Sequence, residues 1–339
     1  MNNERKLASI QRIAEIKPIP EADRICAYRV QDWFVVDTIG KFQVNSLVVF
    51  LEIDSFVPTE LAPFLSKGKE PREYMGVKGE RLRTVKLKKQ LSQGLILPVT
   101  VHAQIEDVDL TNEGNDVTEL LGILKWEAPA EFMAANAKGN FPSFIPKTDQ
   151  ERVQNMRRSI EQYQADDLLF EVTEKLDGSS ITCYVNSDES GVCSRNLDLK
   201  DDLDNTWWKL ANQHNVLEKI KQTGRNLAVQ GEIYGSSING NLYQLDDQRL
   251  AVFDIYDIDN RRYLLPEERW KLVGEMDLPH VPLKGFGTLV GTVSDLLEDA
   301  DGMSTINPKC IREGYVYKAM NDSTISFKVI GNSYLLKKG

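Results

Sequence analysis

Apolar and β-branched runs recur along the first 125 residues: RICAYRV at 24–30, WFVVDTI at 33–39, SLVVFLEI at 46–53, RLRTVKLKK at 81–89 and GLILPV at 94–99. Polar turn formers separate them and no strong helical period intervenes, which predicts a small barrel of about five strands over residues 1–125. EAPAEFMAANAKGNFPSFIPK has the small residues, Gly and Pro of a linker, placed at 126–145. Over 146–339 strand-like runs mix with helical ones. DNTWWKLANQHNVLEKI predicts one helix, with Leu203, Trp207, Leu210, His214 and Leu217 at helical spacing and His214 a packing residue. The expected fold class is α+β: a β-barrel followed by a domain of antiparallel sheets and helices.

Composition adds limits. A chain of 339 residues, 41% hydrophobic and 27% charged, has material for two globular cores. No apolar run approaches a membrane span, and MNNERKLASIQRIAEI is too polar for a signal peptide, so the expectation is a soluble intracellular protein without a membrane partner. Cys26, Cys183, Cys193 and Cys310 lack CxxC spacing and read as reduced packing residues. A net charge of −10 argues against coating nucleic acid by bulk electrostatics. Residues 67–89 are the local exception, with nine Lys or Arg against three Glu and with Tyr74 and Met75 among them. That run is either a solvated loop or a surface that follows a phosphate backbone, with Arg81, Arg83 and Lys86 as its candidate contacts.

The candidate chemistry lies where charges interrupt strands. LLFEV and ITCYV flank the turn-forming LDGSS, so the plain expectation is a hairpin with Lys175 and Asp177 at a solvated end. Other strands repeat the interruption: Glu232 in LAVQGEIYG, Asp254 after Phe253 in AVFDIYD, Glu313 and Lys318 in EGYVYK, and Lys328 in TISFKVIG. A carboxylate in an apolar strand is costly unless paired or bound to a cation, so repeated breaches predict one shared polar pocket.

In combination and order this set resembles the covalent nucleotidyltransferase superfamily of polynucleotide ligases and capping enzymes. KLDG at 175–178, SRN at 194–196, GEIYG at 231–235, VFDIYD, EGYVYK and SFKV follow the superfamily's order. Glu174 directly before the lysine, the segment FPSFIPKTDQERVQN, and the N-terminal stretches VVFLEIDSFVP and RLRTVKLKKQLSQGLILP resemble ATP-dependent RNA ligases of the Deinococcus and Naegleria type, the fifth RNA ligase family. The resemblance implies an N-terminal OB domain ahead of an ATP-grasp-like nucleotidyltransferase domain. DNA ligases and capping enzymes carry their OB domain after the core, whereas here only about ten residues follow SFKVI.

The implied activity is ATP-dependent sealing of 3′-hydroxyl and 5′-phosphate RNA ends, at nicks with RNA on the 3′-hydroxyl side, by a monomer that uses ATP and Mg²⁺ or Mn²⁺. Its partner is RNA or a nicked duplex containing RNA. Lys175 would carry AMP; Asp177, Glu232 and Glu313 would hold a hydrated metal; Lys328 would meet phosphate. Glu174 would contact the adenine amino group, with Phe253 and Val316 on the two faces of the base, although core packing is the alternative for both. Arg195 and Lys318 would meet phosphate or ribose, and Lys147, Arg152 and Gln154 triphosphate or RNA phosphate, an exposed helix start being the alternative for these three. Relatives often carry two basic residues in the last motif, and here Ser326 stands in place of one. The lysine must be activated, since depressing a pKa of about 10.4 by ~3 units takes ~4 kcal/mol of differential stabilisation. The alternatives are a GTP-dependent capping guanylyltransferase and a silent RNA-binding protein of the same fold.

Overall fold

The computed structural model describes residues 5–101, 113–127, 136–202 and 204–338. Leu203 and residues 128–135 of the expected linker lie outside the described residues. Near the N-terminus five strands form an antiparallel sheet in the order Leu95–Pro98, Leu47–Leu51, Ala8–Pro18, Ile25–Val30, Trp33–Thr38. The central strand, Ala8–Pro18, has no counterpart among the expected runs because ASIQRIAEIKP does not alternate cleanly. Its first half pairs with Leu47–Leu51, its second with Ile25–Val30, and a bulge between Ile13 and Glu15 bends it from one partner to the other. The expected single run RLRTVKLKK is divided between a strand ending at Arg81 and the hairpin of Thr84–Leu87 with Gln90–Gln93.

A four-stranded sheet of Leu124–Lys125, Ser55–Pro58, Val77–Arg81 and Arg72–Tyr74 accompanies the N-terminal one, and the chain beyond residue 136 builds two larger sheets. One has seven antiparallel strands and includes Ser179–Asn186, Leu227–Gly235 and Gln248–Asp257 side by side. The other has five and places Leu169–Lys175 between Gly314–Ala319 and Leu283–Thr288. Leu169–Lys175 and Ser179–Asn186 are therefore not a hairpin, because the turn at 176–178 carries the chain from one sheet into the other. Each sheet has its own apolar core, the first around Val192, Leu210, Ile220 and Val252, the second around Phe170, Val293, Tyr317 and Phe327. The expected single helix is two, Thr206–Gln213 and Val216–Gln222. Asn215 separates them in the left-handed conformation (φ 51°), which Asn tolerates better than most residues. His214 caps the first helix and is partly buried, in keeping with packing.

The N-terminal sheet is joined to the remainder by buried polar contacts and by the last helix. Arg5 and Glu52 form a buried ion pair (Nε to Oε2, 2.7 Å), Asn155 donates to Glu52 Oε1 at 2.6 Å, and Trp33 donates to Asn155 Oδ1 at 2.5 Å. Ile330 and Leu335, at the chain's far end, pack with Trp33, Tyr28 and Phe50. Removing one member of a buried ion pair leaves an uncompensated charge, at a cost of about 3–5 kcal/mol. Arg5→Met should therefore lower the free energy of unfolding by about that amount in chemical denaturation, and Arg5→Met/Glu52→Leu should recover much of the loss.

Candidate active site

The seam between the two larger sheets opens into a cavity of about 620 Å³ whose remaining wall includes Arg5, Ile53, Asp54, Arg81 and Arg83 of the N-terminal part. Lys175 reaches it because it ends its strand directly opposite Gly314, one residue from Glu313. Its Nζ lies 2.9 Å from Glu313 Oε1. Glu232 comes from the neighbouring sheet, opposite Ser180. Glycine is required at the crossing: a Cβ on Gly178 would sit 2.1 Å from the Ile233 carbonyl oxygen, and one on Gly314 2.0 Å from that of Val329.

Phe253 is also presented by backbone geometry. Gln230 pairs with Asp254 and Gly231 with Val252, so Phe253 is the extra residue of a bulge and its side chain joins the cavity wall with Val316. Behind it the buried Lys318 Nζ donates to the Phe253 carbonyl (2.6 Å) and to Asp254 Oδ2 (2.7 Å). Burial lowers the Lys318 pKa although Asp254 opposes it. Beneath these, Arg269 and Glu171 pair at full burial, with Trp270 also donating to Glu171. Glu174 lines the cavity and is itself buried.

The cations of the wall are held by two acids absent from the expected set. Asp149 meets Lys328 Nζ (3.0 Å), Arg195 (3.4 Å) and Lys125, and Glu127 meets Arg195 Nε at 2.9 Å. Burial lowers the Lys328 pKa to about 7, and burial notwithstanding, Lys328, Lys125 and Arg195 hold Asp149 well below the usual carboxylate range. Arg152 is buried on the same wall with one Nη on Asp54 Oδ2 (3.0 Å), while its Nε and other Nη lack an acceptor among the described residues. It is thus no exposed helix start. Gln154 is buried off the cavity, where its carbonyl accepts from the Asp32 N–H. Lys147 is exposed and donates to Asn196 Oδ1 beside a small adjoining hollow. Of the three expected nucleic-acid contacts, Arg81 is tied to Asp54 (2.7 Å), Arg83 is exposed at the cavity's edge, and Lys86 is exposed on the hairpin.

Without a cation, the charge around Lys175 favours its ammonium form. Burial works against its positive charge, but Glu313, Glu232 and Asp177 outweigh it and hold the pKa above the ordinary lysine range. The expected depression thus requires something to neutralise those acids. Asp177 already has partners that the sequence did not reveal: Asn239 and Tyr334 (3.0 Å) donate to Oδ1, Lys338 forms an ion pair 3.0 Å from Oδ2, and Tyr243 Oη accepts its backbone N–H at 2.8 Å. Glu313 has Lys175. Glu232 makes no hydrogen bond or ion pair among the described residues, and burial pushes its pKa up to about 8. Excess negative charge on this wall fits a divalent cation. No three acids, His or Cys among the described residues converge tightly enough to ligate one directly, so the fit is to an ion that keeps its water shell.

Two family models match the chain: one described as RNA ligase over residues 169–330, the other as an OB-fold domain over residues 7–99. Comparison with curated protein sequences gives no match. A solved structure of a Naegleria gruberi RNA ligase variant without ligand is 43% identical, with TM-score 0.91, covering 98% of this chain and 98% of that one. This chain belongs to the RNA ligase family. Two further structures of the Naegleria gruberi ligase, both also 43% identical and covering 98% of this chain, contain ATP and Mn (TM-score 0.90, 98% of that chain) and pyrophosphate (0.91, 99%). The five-stranded sheet of this ligase thus belongs to an N-terminal OB fold, and the whole is α+β, as expected.

The raised Glu232 pKa has a measurable consequence. Its protonated form stabilises the fold fully below the free carboxylate pKa near 4.5, and that contribution is lost as pH rises through about 8. Near neutral pH the metal-free ligase holds a proton there that a cation must displace. Mn²⁺ titrated calorimetrically at pH 7 in buffers of different ionisation enthalpy should release protons, and Glu232→Gln should reduce the number released per ion.

Proposed function

We propose that the chain is an ATP-dependent RNA ligase acting through a lysyl-AMP intermediate. The observation that carries this reading is the Lys175 amine, 2.9 Å from Glu313, at the meeting point of two sheets in a cavity with a basic wall. Lys175 gives up its proton, its Nζ attacks the α-phosphorus of ATP, and the bond to pyrophosphate breaks. A 5′-phosphate oxygen of the nucleic acid then takes AMP from the lysine, which leaves as the amine. Finally a 3′-hydroxyl attacks that 5′-phosphorus, loses its proton and expels AMP as the phosphodiester forms.

Each part of the cavity has a task in this scheme. Glu232, Glu313 and Asp177 would hold a hydrated Mg²⁺ or Mn²⁺, whose charge offsets the acids around Lys175 and the negative charge developing on phosphate. With that offset, burial alone acts on Lys175 and favours the free amine. Phe253 and Val316 would flank adenine, and Arg195, Lys318 and Lys328 would exchange carboxylate partners for phosphate or ribose oxygens. Arg152, with buried donors to spare, fits triphosphate or RNA phosphate, whereas Gln154 has no route to either except by shaping the wall. We assign residues 1–125 to substrate binding, 126–145 to a linker and 146–339 to nucleotidyl transfer, with the last helix returning to the N-terminal core.

The substrate we propose is a nicked duplex with RNA on the 3′-hydroxyl side, sealed by a monomer. Intracellular action is supported by four free, buried cysteines, and no helix among the described residues is long and apolar enough to cross a membrane. The capping alternative is disfavoured by Glu174, whose acceptor oxygens suit the adenine amino group and oppose the guanine carbonyl.

Two outcomes test this scheme. Lys175→Ala should form no enzyme–AMP adduct yet still join a strand supplied with a pre-adenylylated 5′ end, as followed by denaturing electrophoresis. Arg83→Ala/Lys86→Ala should weaken binding of a nicked duplex and reduce the slope of log affinity against log salt by about two, since each lost phosphate contact removes about 0.9.

A further inference from the structure

Glu174 is buried, and its carboxylate receives three hydrogen bonds from two adjacent residues about 130 positions further along the chain. Ser304 Oγ donates to Oε1 at 2.5 Å, and Thr305 donates to Oε2 from its backbone N–H (2.9 Å) and its hydroxyl (2.6 Å). The direction of these bonds is fixed. A backbone N–H can only donate, and the Ile306 N–H donates to Ser304 Oγ at 3.0 Å, which turns the Ser304 hydroxyl hydrogen toward Glu174.

The loop that carries these donors is held from below. Arg312, the neighbour of Glu313, donates to four carbonyls, those of Asp299, Ala300, Asp301 and Met303, and its guanidinium lies 4.1 Å from the Tyr315 ring centroid. The Ser304 N–H donates to the Cys310 carbonyl, and Asn307 donates to that of Tyr243. The donors are therefore placed by the fold rather than by chance contact of a loose loop.

We propose that Ser304 and Thr305 are positioning residues that make Glu174 the selector of the nucleotide base. A carboxylate has about four acceptor sites. Oε2 has both of its sites filled and Oε1 has one filled, which leaves a single acceptor position on Oε1. Adenine offers a donor there through its exocyclic amino group, and guanine offers a carbonyl oxygen. The clamp also prevents the carboxyl group from turning round and presenting a hydrogen to guanine, since each oxygen already faces a fixed donor. Selection of ATP over GTP thus rests on the 304–305 loop as much as on Glu174. This inference builds on the adenine-facing role proposed for Glu174.

The test is the ratio of kcat/KM for self-adenylylation by ATP to that for self-guanylylation by GTP, measured on the full chain with Mn²⁺. Ser304→Ala/Thr305→Val should lower that ratio roughly tenfold or more, the size expected for losing control of one buried charged acceptor. Thr305→Ser, which keeps the hydroxyl and the N–H, should retain it. Glu174→Gln serves as the reference, because an amide can donate to guanine and should also lower the ratio. If Glu174→Gln lowers the ratio and the double variant does not, the positioning role is wrong and the Glu174 reading stands. An unchanged ratio in Glu174→Gln overturns both. Should the double variant fail to fold, as judged by thermal melting, Thr305→Val and Ser304→Ala separately must each lower the ratio, and an unchanged ratio in both overturns the proposal.

Discussion

The architecture turns on one electrostatic constraint: a lysine amine and three carboxylates line one cavity. Left alone, that group stabilises the ammonium, because Glu313 lies 2.9 Å away and Glu232 and Asp177 add to its field. The same field leaves Glu232 without a partner, and burial drives its pKa to about 8. A nucleophilic amine and an ionised Glu232 become compatible only when further positive charge enters. That balance of charge suits a divalent cation, and under the proposed scheme chemistry at Lys175 would depend on its arrival.

The fold serves that constraint by bringing charges from separate sheets to one seam. Gly178 lets the chain cross against the Ile233 carbonyl, Gly314 lets Glu313 stand beside the end of the lysine strand, and a bulge turns Phe253 toward the same space. The opposite wall repeats the principle with signs reversed. Lys328, Arg195 and Lys125 converge on Asp149, which keeps them gathered. Arg5, Glu52 and Asn155 tie the N-terminal sheet to this wall.

Much of the site was legible in the sequence because each strand that contributes to it carries a charge where an apolar residue belongs. Lys175, Glu232, Phe253, Glu313, Val316, Lys318 and Lys328 all line the one cavity that this pattern predicts. Pairing between distant segments was not legible. Asp149, Asn239, Tyr334 and Lys338 sit in stretches with ordinary polar composition, and their role appears only when distant segments meet, Asp149 with Lys328 and the other three with Asp177. The Ala8–Pro18 strand lacks clean alternation because it changes partners midway, and the helix around His214 breaks at an Asn whose φ no periodicity reveals. The hairpin expected at LDGSS failed for a similar reason, since turn chemistry predicts a reversal of direction but not the sheet to which the chain returns.

The central claim is that Lys175 is the covalent carrier of AMP and that the surrounding acids make this depend on a divalent cation. Its most direct test is peptide mapping by mass spectrometry after the purified protein is incubated with ATP, with and without Mg²⁺. The account predicts one AMP, linked through an acid-labile phosphoramidate, on the peptide containing Lys175 and only when the cation is present. AMP on another residue, or equal modification of Lys175 without the cation, would contradict it.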